Sequence, residues 1–354
     1  MAFELGTTVG DYQFIDVIES SREGTSYRVR NVTEHRIEIL RVLSETTQND
    51  PVRLERFQRE AKILSRLKHP HIVSYHSSKL IGNRFVLATE LVEGTTLAER
   101  LEVGALSLPD AVRYIWQTLE ALECAHREGV IHRDIHPGNL YLTPDSELKL
   151  SGFNLARSNA DPRLTQVGVT IGSAHYMSPE QVQATGDLDG RSDLYSLGVV
   201  FYELIARRKP FDMPGQFDVM LAHVEAEPAP PSAHNREVPA ELDALILKAL
   251  AKKPADRFQS ATEFREALME VSLGSVQEPE ENLEKALVEM KKRGKDAART
   301  PQEALEHQEE IASMLGIRDA SASKPELQGT SRLLVFAGIT CTAVILFLMI
   351  YWMR

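Results

Sequence analysis

The side chains best suited to chemistry lie close together near the middle of the chain, in the segment IHRDIHPGN at 131–139. Its ionisable and polar members are His132, Arg133, Asp134, His136 and Asn139. A carboxylate and imidazoles at this spacing can accept or donate protons, although His136 should be mostly neutral at pH 7. An H-R-D triplet alone is a weak signal, so its meaning depends on the segments around it.

Four other segments accompany this one in a characteristic order. One of them precedes the segment at 131–139: RFQREAKIL, with Glu60. Three follow it: YMSPEQ with Glu180, SDLYSLG with Asp193 and KKPADRF with Arg257. Together these segments resemble the eukaryotic-type protein kinase family, and their wording is most similar to that of bacterial serine/threonine kinases. The resemblance covers roughly residues 11–270. It implies a two-lobed α+β fold, with a strand-rich lobe followed by a helical lobe.

The resemblance also implies a role for each matched residue. Asp134 would be the base that accepts the proton of the substrate hydroxyl, and Asn139 would be a metal ligand. Glu60 would pair with the cation on the third strand. The matched residues that would organise the fold rather than the chemistry are His132, Arg133, Phe153, Glu180, Asp193 and Arg257.

The positions that would hold the nucleotide depart from the family pattern. Where the family has G-x-G-x-x-G, whose glycines let backbone N–H groups approach phosphates, this chain has ESSREG with only Gly24 remaining. Glu19 and Glu23 place negative charge where phosphates would lie. Arg41 stands for the strand lysine and keeps its positive charge, so it can still pair with Glu60.

The residues beside the base pocket match the family pattern, whereas those at the metal site do not. Thr89, a small residue, and Glu90 match the segment beside the base pocket. In LKLSGFNLAR, however, Gly152 stands for the metal-binding aspartate of D-F-G, and glycine has no side chain that could bind magnesium. His136 stands for the lysine that contacts the transferred phosphate. Asn139 is therefore the one predicted metal ligand.

The altered positions are those that touch nucleotide or metal, whereas the fold-organising residues remain. The sequence therefore favours a pseudokinase that acts as a scaffold or allosteric regulator, needs no cofactor, and binds an active kinase or its substrates. Two alternatives stay open: an active serine/threonine kinase that uses ATP and Mg²⁺ in an unusual way, and a non-catalytic nucleotide sensor. Thr165, Thr170 and Ser173 are candidate phosphorylation sites that could pair with Arg133.

The chain divides into segments of different composition. Residues 11–92 should form the strand-rich lobe and 93–272 the helical lobe, followed by a charged, partly helical linker at 273–331. The segment 333–352 has 20 residues without an Asp, Glu, Lys, Arg or His, enough for a helix of about 30 Å that spans a membrane once. The basic residues before it predict a cytoplasmic kinase-like domain and a tail-anchored topology.

Three further features of the sequence bear on the class of protein. The net charge of −11 argues against a nucleic-acid partner. Only two cysteines, Cys124 and Cys341, are present, too few for a disulfide framework. No secretory signal is recognisable among the first 30 residues.

Overall fold

A computed structural model of the chain describes residues 3–158, 173–185 and 188–271, which all belong to one compact unit. Within these three ranges no helix combines the length and apolarity needed to cross a bilayer.

Several predicted features fall outside these ranges. They are the linker at 273–331, the membrane span at 333–352, and the candidate phosphorylation sites Thr165 and Thr170. Ser173 is the first residue of a short helical turn, but its side chain is not among those described.

The N-terminal part contains a six-stranded antiparallel sheet with strand order β1-β2-β3-β4-β6-β5. Side chains that alternate along the strands, such as Tyr12, Phe14, Tyr27, Val29 and Leu40, are buried together on one face. The predicted strand-rich lobe is confirmed. The strands are β1 (Thr8–Val9), β2 (Tyr12–Ser20), β3 (Gly24–Asn31), β4 (Arg36–Leu43), β5 (Tyr75–Ile81) and β6 (Arg84–Glu90).

Two helices, α1 (Glu45–Gln48) and α2 (Pro51–Leu64), lie in the chain between β4 and β5. Asp50 caps α2 by accepting hydrogen bonds from two backbone N–H groups, and Pro51 occupies the first turn, where a missing N–H costs nothing. The 3.6-residue pattern predicts this helix as far as Leu67. The α-helix ends at Leu64 because the next residues tighten into i→i−3 bonds, such as that from Leu67 N to Leu64 O.

The apolar composition of the run at 72–75 predicts a strand, and this prediction is wrong. Ile72 makes only an isolated bridge, and Val73 N donates to Leu150 O of the helical part. These residues cross from one part of the fold to the other, and the regular strand begins at Tyr75.

The remaining described residues form the helical part. The predicted helices at 108–127, 192–206 and 240–250 are confirmed within two residues, and the second of them is buried along most of its length. The helices are α3 (Leu97–Val103), α4 (Leu108–Arg127), α5 (Pro179–Val182), α6 (Gly190–Ala206), α7 (Gln216–Glu225), α8 (Ala240–Ala249) and α9 (Ala261–Met269). Short strands accompany them: β7 (Thr95–Thr96), β8 (Val130–Ile131), β9 (Leu140–Leu142), β10 (Leu148–Leu150) and β11 (Arg157–Ser158).

Candidate nucleotide site and catalytic loop

A cleft of about 300 Å³ lies between the sheet and the helical part. Its apolar walls include Ile18, Ile39, Leu64, Val73, Leu87 and Phe153. Arg41, Glu60, Thr89, Glu90 and Gly152 also line it, so the fold brings together residues that are far apart in the sequence. Such a cavity, apolar with a few converging polar groups, is typical of a small-molecule site.

Arg41 on β4 and Glu60 on α2 form the predicted ion pair. The Glu60 side chain is only 8% exposed and that of Arg41 33% exposed. The Arg41 guanidinium also lies 5.0 Å from the centre of the Phe57 ring. The pair fixes α2 against the sheet.

The carboxylate of Glu90 is engaged by a lysine that the sequence reading did not single out. Lys149 Nζ lies 2.9 and 3.0 Å from the two carboxylate oxygens, and Ser74 N donates to one of them at 3.1 Å. Burial alone would raise the pKa of Glu90, but the bonds from Lys149 and Ser74 hold that pKa below its ordinary value. The signal for this contact was the basic residue in LKLSGFN.

Gly24 has a structural reason to be glycine. A Cβ at this position would lie 2.2 Å from the carbonyl oxygen of Val42 on the neighbouring strand. The turn before it closes through a bond from Ser21 N to Gly24 O, and Ser44 Oγ donates to Arg22 O at 2.8 Å. The turn that matches the phosphate-binding loop of the family is therefore closed on itself and attached to the start of α1.

Asp193 on α6 holds the backbone of the segment 131–139, which is the candidate catalytic loop. Its carboxylate accepts hydrogen bonds from His132 N at 2.9 Å and Arg133 N at 2.7 Å. His126 Nε2, a partner the sequence reading missed, lies 2.8 Å away. Burial opposes ionisation of Asp193, but these partners keep its pKa below the ordinary value. The predicted fold-organising role of Asp193 fits this geometry.

Asp134, the predicted base, lies beside Asn139 and His136. Asn139 Nδ2 donates to Asp134 O at 2.8 Å and to Asp134 Oδ2 at 3.2 Å. His136 Nδ1 accepts a bond from Gly138 N, and its Nε2 lies 3.8 Å from Asp134 Oδ2. Burial lowers the pKa of His136, so this side chain is neutral at pH 7 and does not supply the charge of a lysine.

The residues at the metal position do not fit a magnesium ion. Gly152 has φ +83°, and a Cβ there would lie 2.3 Å from Asn139 Cγ, so the asparagine amide fills the space that a residue-152 side chain would need. The described part of the chain contains no cluster of three or more His, Cys, Asp or Glu side chains arranged to hold a metal. Magnesium in proteins is usually bound by one or two carboxylates together with phosphates.

Two further contacts involve residues for which the resemblance implies a fold-organising role. Phe153 is 1% exposed, and its ring centre lies 4.6 Å from that of His132. Arg257 donates to both carboxylate oxygens of Glu180, at 2.7 and 2.8 Å, and this is the pairing that the family resemblance implies for these two residues.

This architecture and site define a protein kinase domain. The protein kinase domain family matches residues 12–269, and the chain belongs to that family, in its bacterial Hanks-type serine/threonine branch. It is 35% identical over 270 residues to serine/threonine-protein kinase PknB of Mycobacterium leprae, which covers 74% of this chain. It is 37% identical over 263 residues to a probable serine/threonine-protein kinase of Streptomyces coelicolor, which covers 72% of this chain.

The solved kinase domain of Mycobacterium tuberculosis PknI is also similar, with 29% identity and a TM-score of 0.59. The match covers 76% of this chain and 99% of that domain. By contrast, this chain spans 43% of the length of the M. leprae relative and 39% of the S. coelicolor one. The likeness therefore concerns the kinase domain.

Proposed function

We propose that this chain binds a nucleoside triphosphate in the cleft and transfers its γ-phosphoryl group slowly to serine or threonine hydroxyls of proteins. The observation that carries this proposal is the joint geometry of two groups: the Arg41–Glu60 pair, which lines the cleft, and Asp134, which is held by Asn139 next to Gly152 of the cleft wall. The relatives named as serine/threonine-protein kinases support it.

In this reaction the substrate hydroxyl oxygen bonds to the γ-phosphorus while the bond from that phosphorus to the β-phosphate oxygen breaks. Asp134 accepts the hydroxyl proton, and Asn139 keeps its carboxylate in place. The low rate follows from the charges: neutral His136 and the missing side chain at Gly152 supply no positive charge or metal ligand at the γ-phosphoryl group during transfer. Each ~1.4 kcal/mol of lost transition-state stabilisation slows transfer tenfold.

An assay with γ-labelled ATP and a general protein substrate tests this function. We expect slow labelling on serine or threonine that Asp134→Asn abolishes and Asp145→Asn, at an exposed turn, leaves unchanged. Labelling that stays at background, or that survives Asp134→Asn, would contradict the proposal.

A second candidate is a non-catalytic pseudokinase that serves as scaffold or allosteric partner of an active kinase or of its substrates. Gly152 specifically favours it, because the position that should neutralise phosphate charge has no side chain. Background labelling together with a normal fold supports this candidate. A thermal-shift titration then separates a scaffold from a nucleotide sensor, since ligand at 100 times its Kd stabilises the fold by about 2.7 kcal/mol.

We also propose that residues 333–352 attach the domain to a membrane, with the kinase domain on the cytoplasmic side. The support is the uninterrupted apolar composition of this segment and the basic residues before it. We expect the full chain to remain in the membrane fraction after carbonate washing. A variant carrying Val344→Arg and Phe347→Arg should be released, whereas Thr340→Ala should not.

A further inference from the structure

A second cavity, of about 170 Å³, lies beneath the turn between β2 and β3. It shares Glu19, Ser26, Arg41 and Glu60 with the nucleotide cleft, so the two cavities lie next to each other. Its far side is formed by α2, which contributes two further guanidinium groups, those of Arg53 and Arg56. A nucleotide whose base lies in the cleft would direct its phosphates past Arg41 into this space.

The carboxylates of this second cavity differ in how firmly they are paired. Glu60 is buried and held by Arg41. Glu23 lies on the turn, is 62% exposed, and is 3.7 Å from Arg53, which is itself 48% exposed and also pairs with Asp50 at 3.3 Å. Exposed ion pairs of this kind contribute little stability, so Arg53 can exchange a carboxylate for a phosphate at small cost.

We propose that the nucleotide phosphates are neutralised by Arg53 together with Arg41, so that nucleotide binding does not require a divalent metal. The proposal rests on the proposed nucleotide binding and accounts for the misfit between Gly152 and magnesium. A guanidinium suits this task because its planar fork of N–H donors matches two phosphate oxygens. Glu23 competes with the phosphates for Arg53 and repels them.

The Arg53–Glu23 pair gives a test that separates ligand binding from folding. If the pair merely stabilised the fold, removing either partner would change nucleotide affinity in the same direction. If Arg53 binds phosphate, Arg53→Gln weakens nucleotide binding, whereas Glu23→Gln strengthens it. Arg113 is a matched control, because it also pairs with an acid three residues earlier, is 46% exposed, and lines neither cavity.

The experiment is calorimetric titration of the full chain with ATP, in EDTA and in Mg²⁺. We expect Kd values that agree within ~2-fold between the two conditions, a loss of about tenfold in Arg53→Gln, a gain in Glu23→Gln, and no change in Arg113→Gln. Adenosine should bind equally to all variants because it has no phosphate. Tripolyphosphate should repeat the ATP pattern.

Three results would overturn the proposal. They are ATP binding that disappears in EDTA, changes of the same sign in both partner variants, and an equal effect of Arg53→Gln on adenosine. Metal-dependent ATP binding together with the slow phosphoryl transfer proposed above would remove this inference and leave the proposed function standing. Absence of ATP binding under both conditions would remove both.

Discussion

Gly152 stands where the family has a carboxylate, and this difference affects the packing of neighbouring side chains as well as the metal site. With φ +83° and Asn139 Cγ 2.3 Å from the expected Cβ position, the residue lies where any side chain is strained and crowded. The asparagine amide has taken this space and bonds to Asp134. The position of this amide therefore joins Asn139 directly to Asp134 by hydrogen bonds.

This geometry predicts that Gly152→Asp and Gly152→Ala lose stability alike but differ in their response to metal. Both must displace the Asn139 amide and adopt a left-handed backbone, at a cost of at least ~1 kcal/mol. Only the aspartate provides an oxygen ligand, so only Gly152→Asp should gain a thermal shift with ATP that depends on Mg²⁺. Equal shifts in the two variants would contradict this explanation.

The buried imidazole of His223 predicts a dependence of stability on pH. Its ring bonds to Tyr195 Oη and to the carbonyl of His175, and burial lowers its pKa to about 4 from 6.5. Since the unfolded chain then binds a proton more readily than the folded one, this contribution is complete above pH 6.5 and is lost as the pH falls towards 4. The loss amounts to about 3 kcal/mol by linkage.

Urea unfolding between pH 7 and 4 measures this effect. His223→Gln should flatten the decline in the free energy of unfolding over that range, whereas the same change at exposed His234 should leave the decline as steep as in the unaltered chain. If the free energy of unfolding of His223→Gln declines as steeply as that of the unaltered chain, other groups cause the sensitivity to acid.

Among the elements, the long ones were predictable and the connections were not. The 3.6-residue pattern gave α4 its correct bounds, because a helix of 20 residues carries many repeats of its apolar face. The run at 72–75 has the composition of a strand, but its partner, Leu150, belongs to the other lobe. Short apolar segments take their structure from tertiary partners that local sequence does not reveal.

The same distinction holds for the site. The Arg41–Glu60 and Arg257–Glu180 pairs could be predicted because family motifs mark both partners. The Lys149–Glu90 contact had no such mark, since a lysine on a short strand is ordinarily solvated. The second cavity was also unforeseen, because it depends on how α2 faces the turn between β2 and β3.

The pairing of β3 with β4 depends on the absence of a side chain at Gly24. A Cβ there would lie 2.2 Å from Val42 O, which is backbone and cannot rotate away. We expect Gly24→Ala to destabilise the fold clearly more than Gly10→Ala, whose Cβ meets open space and whose strained φ of +59° costs about 1 kcal/mol. The free energies of unfolding in urea compare them; equal losses would show that the strands can separate locally.

At the scale of the whole molecule, the helical lobe is held together by Arg257. Its side chain is fully buried, bonds to both oxygens of Glu180 77 residues earlier, and donates to the carbonyls of Ala251, Lys252 and Arg191. Burial alone would raise the pKa of Glu180, but the bonds from Arg257 hold that pKa below its ordinary value. The Arg257–Glu180 contact joins two segments of the chain whose own secondary-structure elements are short.

Removing one partner of this pair should therefore be far more damaging than removing both. Arg257→Met leaves the Glu180 carboxylate buried without its counter-charge, at an expected loss of 3–5 kcal/mol, roughly. The double variant Arg257→Met with Glu180→Leu leaves no buried charge and should recover at least half of that loss, although the three carbonyls lose their donor. Urea unfolding of the double variant and of each single variant, Arg257→Met and Glu180→Leu, at pH 7 measures the difference. If the double variant is as unstable as the sum of the two single variants, the pair acts through its separate hydrogen bonds rather than through charge compensation.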